Sequence, residues 1–109
     1  MGADFVLRGV VLISWFDTRA SKDFGLSMAS FYAERMPPKA GGSQKQFAAR
    51  SRQTLEKMSQ QVVVFKQQNK LNTYKVAQIG NTFKWALKDA GYEDSFVDEL
   101  TQWLVTVCR

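Results

Sequence analysis

The chain has 109 residues, with 15 Lys+Arg against 10 Asp+Glu, 45% hydrophobic residues, one Cys and no His. That length fits one domain of the usual ~100–200 residues, and the apolar share supports a core rather than a disordered chain. The lack of His removes His-based triads, His metal ligands and the common pH switch, and a single Cys excludes an internal disulfide, a thiolate zinc cluster and a CxxC pair.

The first element is an apolar run, Phe5–Phe16, with three aromatics, six aliphatics and one charge, Arg8. It is too short to span a bilayer, which takes ~20 helical residues. Asp4 ahead of it and Asp17-Thr18-Arg19 after it do not suit a cleaved signal peptide. A cytoplasmic protein with no membrane contact is expected, with Cys108 a free thiol near a fraying terminus. Val6, Val10, Val11 and Ile13 favour a strand, while Gly9 lowers the case for strand and helix alike. Residues 1–16 therefore read as an apolar arm: a fifth helix, an extended segment over the bundle, or a single strand paired with a second chain.

Residues 17–109 read as one helical domain. Asp17 or Thr18 can cap a first helix whose face carries Phe24, Met28, Phe31 and Tyr32, and Pro37-Pro38 ends it. Ser43 with Gln46 has capping-box spacing and opens a second helix with Phe47, Leu55, Met58, Val62 and Phe65 in one arc. Val63 and Val64 fall outside that arc, so this end is expected to be buried on more than one side or to pair with another chain. Asn69 is expected to stop the helix in a left-handed conformation.

A third helix opens at Asn72, carries Val76, Ile79, Phe83, Ala86, Leu87 and Ala90 on one face, and ends at Gly91. Gly80 inside it costs ~1 kcal/mol relative to Ala and marks a kink, a close crossing or a split. The last helix starts at Asp94 or Ser95, with Ser95 and Asp98 at capping spacing, and packs through Phe96, Val97, Leu100, Trp103, Leu104 and Val107. The fold class is all-α, a four- to five-helix antiparallel bundle.

No nucleotide-binding or hydrolase motif is present, so a non-enzymatic protein without cofactor or metal is expected. The one carboxylate cluster, Glu93, Asp94, Asp98 and Glu99, suits the first turn of a helix better than a Mg²⁺ or Ca²⁺ site. Between Lys39 and Lys75 there are eight basic residues and one acid, Glu56, whereas Asp89 to Arg109 holds five acids and one Arg. Lys45, Arg50, Arg52, Lys57 and Lys66 are the candidate phosphate contacts of a nucleic-acid-binding accessory protein, although a helical wheel scatters them. A helix-turn-helix over Lys70–Gly91 fails because Ala77 to Gly80 is one residue short of that motif's spacing.

On the third helix, Tyr74, Gln78, Asn81, Trp85 and Lys88 share a face opposite the apolar stripe. That set is either a partner hot spot or a second buried side under the arm. The segment Leu71–Leu104, with Phe16-Asp17-Thr18-Arg19, resembles uncharacterised small helical proteins from bacterial genomes, a packing pattern that implies no catalytic residue. The leading expectation is a small protein-interaction module that self-associates as a homodimer, its contacts including Val10, Leu12 and Trp15 of the arm and the third-helix face. A helical pocket for a small ligand is a further alternative and requires an apolar cavity.

Overall fold

Four α-helices form the regular structure: α1 (Gly2–Arg35), α2 (Gln44–Gln68), α3 (Thr73–Asp89) and α4 (Asp94–Cys108). The computed structural model describes the backbone of residues 2–38 and 42–109 and the side chains of residues 19–38 and 42–109. The chain is an all-α bundle, and no helix among the described residues is long and apolar enough to cross a membrane.

α1 is a single helix of 34 residues that runs through Asp17 and Thr18 without a break, so neither residue caps it and the arm is not a strand. An Asp or Thr caps only where the backbone leaves the helix; inside one, each costs a few tenths of a kcal/mol, about 0.7 at most. Pro37-Pro38 ends α1 as expected, just after the Met36 N–H donates to the Tyr32 carbonyl at 2.7 Å.

The capping box of α2 is formed: the Gln46 N–H donates to Ser43 Oγ at 3.2 Å, and the Ser43 N–H to Gln46 Oε1 at 3.4 Å. Asn69 ends α2 differently from expectation, with an extended backbone (φ −137°) instead of a left-handed one. Its backbone N–H and its side-chain Nδ2 both donate to the Phe65 carbonyl, at 2.9 and 3.1 Å, so the residue closes the last turn twice over.

At the start of α3, Asn72 Oδ1 accepts from the Lys75 N–H at 2.8 Å. The helix passes through Gly80-Asn81 unbroken and closes at Gly91 (φ +99°). There the Tyr92 N–H donates to the Leu87 carbonyl and the Gly91 N–H to the Lys88 carbonyl, the paired bonds of a Schellman turn. α4 lacks the expected Ser95–Asp98 cap. Its N-cap residue is Glu93, and Ser95 Oγ donates to Glu93 Oε1 at 2.9 Å.

Successive helices run antiparallel, yet the most extensive packing joins α1 and α3, which are parallel. Gly25 lies against the Ile79 carbonyl, and one end further on the Tyr92 hydroxyl donates to the Met36 carbonyl. α4 packs on the other side of α3, where Gly80 meets Val105. α2 closes the ring by lying against α1 and α4. Met28, Tyr32, Met58, Val62, Ile79, Phe83, Leu87, Val97 and Leu104 fill the centre and are almost completely buried. One expectation for α2 fails here: Phe47 is half exposed beyond the end of the core. Val63 and Val64 point outward, 52% and 50% exposed, so that end of α2 is not buried on a second side within the chain, and the pairing alternative stays open.

Candidate functional site: an exposed aromatic stripe on α3

The side of α3 opposite its core residues carries Tyr74, Gln78, Asn81, Trp85 and Lys88, spaced by alternating steps of four and three that keep them in one line. The two rings of this line are open, Tyr74 61% and Trp85 54% exposed, whereas Gln78 is half-buried and the Lys88 side chain is largely covered. The buried-side alternative is thereby removed for these two rings.

The stripe is ordered by its own hydrogen bonds. Gln78 Nε2 donates to the Tyr74 hydroxyl at 3.1 Å, and Trp85 Nε1 donates to Asn81 Oδ1 at 3.1 Å. Lys84 and Lys88 flank the indole, their ammonium groups 5.7 and 5.5 Å from the ring centroid. Lys88 in turn reaches Asp98 at 3.4 Å and Asp94 at 4.0 Å, while Lys84 reaches Asp98 at 3.9 Å. Asp94 and Asp98 are thus occupied in joining α4 to α3. Among the described residues no three acidic or sulfur side chains converge on a point that suits a metal ion. Two ammonium groups stand over the indole, and the residue is still more than half exposed, a surface suited to burial under a partner.

Of the other candidates, Val10, Leu12 and Trp15 belong to α1, but their side chains lie outside the described residues. Lys45, Arg50, Arg52, Lys57 and Lys66 are all exposed on α2. The fold brings two of them together: Arg50 and Lys57 line a depression of about 270 Å³ with Arg35, which no sequence pattern had linked to them. Lys66 stands at the opposite end, donating to the Arg109 carbonyl at 3.3 Å, and Lys45 and Arg52 join neither group.

Cys108 is not at a fraying end. It closes α4 with 2% exposure, and burial pushes its thiol up to about 11, a rise that the nearby Lys66 ammonium partly opposes. A thiol so protonated is a poor nucleophile at neutral pH.

Two cavities were not legible in the sequence. One is a groove of about 520 Å³ between α1 and α2, where Phe24 and Phe65 stack at 4.1 Å beside Phe31. Phe24 and Phe31, seven residues apart on α1, were its only signal. The other, of about 370 Å³, lies at the end of the bundle around Tyr32 and Tyr92. Burial pushes the Tyr32 hydroxyl up to about 12, with a smaller contribution from Tyr92, whose own hydroxyl is also raised by burial. No family model, curated protein or solved structure matches the chain.

Proposed function

We propose that the chain is a small, non-catalytic protein-interaction module of the cytoplasm that self-associates through the α3 stripe and the apolar N-terminal run. The observation that carries this reading is the pairing of exposure with order in Tyr74 and Trp85. Both are more than half exposed, yet each is held by a hydrogen bond from or to its own helix. Tyr and Trp dominate interface hot spots, and side chains already fixed in place lose less entropy on binding.

The nine apolar residues of Phe5–Phe16 support the same reading, because soluble monomers rarely leave a contiguous apolar patch of more than a few hundred Å² uncovered. A two-fold homodimer, each chain offering Val10, Leu12 and Trp15 with the α3 stripe, is the simplest closed arrangement. Sedimentation of the full chain and of a Tyr74→Ala/Trp85→Ala variant tests it. A dimer at roughly 50 µM that weakens at least about tenfold in the variant is expected. A monomeric full chain at that concentration overturns it.

A second reading rests on Arg35, Arg50 and Lys57, which share one depression with no carboxylate in ion-pair reach among the described residues. Such a cluster suits a phosphate backbone. It predicts binding to mixed-sequence nucleic acid that falls steeply with salt; no binding at low salt removes it.

A further inference from the structure

We propose, resting on the reading that the chain self-associates, that the groove between α1 and α2 receives the apolar run Phe5–Phe16 of a second copy. The register of the helices leaves that run projecting. α1 and α3 run parallel with Gly25 against Ile79, so Thr73, the first residue of α3, stands level with Arg19. α1 and α2 run antiparallel with Phe24 on Phe65, so Gln68, the last residue of α2, stands level with Ser21. The backbone of residues 2–18 therefore continues past the ends of both neighbours of α1, as about 25 Å of helix. The radius of gyration, 16.5 Å against about 13 Å for a compact chain of this length, reflects that overhang. α1 is unbroken from Gly2 to Arg35, so the overhang does not turn back into its own groove. Its nine apolar residues leave no polar stripe, and a helix apolar all round is a buried one.

The groove matches the run in length, polarity and charge. Its α2 wall extends from Lys57 to Gln68, twelve residues, as many as Phe5–Phe16 holds. Its apolar surface is the half-buried rings of Phe24, Phe31 and Phe65 with Val64, which is 50% exposed. Two-fold symmetry lays each overhang antiparallel to the α1 of the other chain. With groove and run aligned end to end, the partner's Leu12 falls level with Val64, and the partner's Arg8 falls level with Gln60. The partner's Asp4 falls just past Lys57, where Arg35 and Arg50 share a depression with that lysine. Length alone sets this register, yet it brings apolar to apolar and acid to base. In a dilute, monomeric chain the groove stands open.

Cross-linking of the full chain locates the run. In a Leu12→Cys/Val64→Cys variant, a short bismaleimide should join position 12 of one chain to position 64 of the other and give a covalent dimer. Leu12→Cys alone should not couple, because the symmetry axis near Thr18 holds the two copies of position 12 about 20 Å apart. Cys108 is 2% exposed and does not compete for the reagent. In the otherwise native chain, Val64→Glu should weaken the dimer at least about tenfold in sedimentation and leave unfolding of the dilute chain nearly unchanged. That variant keeps the test intact if the double cysteine variant does not fold. A dimeric double variant without the 12–64 link, a link within one chain, efficient coupling of Leu12→Cys alone, or a Val64→Glu dimer of native strength would each overturn this placement while self-association stands. A monomeric full chain overturns both.

Discussion

The two sides of α1 are built by adjacent residues and differ in kind. Toward α3, Gly25 brings the backbones so close that a Cβ there would stand 2.7 Å from the Ile79 carbonyl oxygen. Toward α2, Phe24 meets Phe65 ring to ring, and the helices are held apart over a groove of about 520 Å³. The first side is dense, with Met28 and Tyr32 fully buried along it; the second leaves Val64 half exposed. Side-chain size at the crossing therefore sets both how closely a helix packs and where the molecule keeps open surface.

The largest break in that comparison is expected from truncation at the dense side. Phe83→Ala, fully buried on α3, should cost about 3–5 kcal/mol in urea unfolding, and Phe24→Ala, half-buried over the groove, less than half as much. Equal losses would show that the groove is filled in solution.

The two helical glycines sharpen the point. Gly25→Ala drives a methyl against backbone and is expected to cost about 2–3 kcal/mol despite the helix propensity gained. Gly80→Ala meets the end of a side chain, Val105 Cγ2 at 2.7 Å, which can turn away. Its cost should stay below about 1 kcal/mol, since the gain over Gly offsets the displacement.

Titration gives a milder and reversible probe of the dense side. Tyr32 is raised from 10.0 to about 12 by burial and Tyr92 is raised as well, so above pH 10 the unfolded chain loses protons that the folded chain retains. Stability is then complete below pH 10 and falls as pH rises to about 12, by about 2 kcal/mol for Tyr32. Melting temperatures between pH 9 and 12 check it, and a Tyr32→Phe variant should flatten the slope. The smallest effect belongs to the open side of α2, where Val63→Thr should change stability by no more than about 0.5 kcal/mol.

The parts of the fold decided within a few residues were legible in the sequence. Ser43 with Gln46, Asn72, Pro37 and Gly91 each begin or end a helix as their local chemistry requires. Asp17, Thr18 and Ser95 have equally good capping chemistry and cap nothing, because a cap also needs the chain to turn there. Phe47 was misplaced for another reason: a helical wheel shows which residues share an arc, not where along the helix its neighbours end. The α3 stripe illustrates the same limit. Its five members followed from spacing, but their exposure depends on what other helices leave uncovered. Gly25 gave no signal, since a glycine at a crossing and a glycine of no consequence look alike in one sequence.

The parallel seam between α1 and α3 also bears on the order in which the helices can meet. The α3–α4 hairpin closes across a short turn, with Gly80 against Val105, so its contacts come at a low sequence separation. α1 finds its main partner only after the whole of α2 has been made, so its contact closes a long loop and comes at a high sequence separation for a helical protein. During synthesis, the α1 residues that the seam will bury, Met28 and Tyr32 among them, wait without α3. On loop-closure grounds the α3–α4 hairpin is expected to form ahead of the α1 seam, the reverse of the order in which the two leave the ribosome, and a substitution at Gly80 should then slow folding more than one at Gly25.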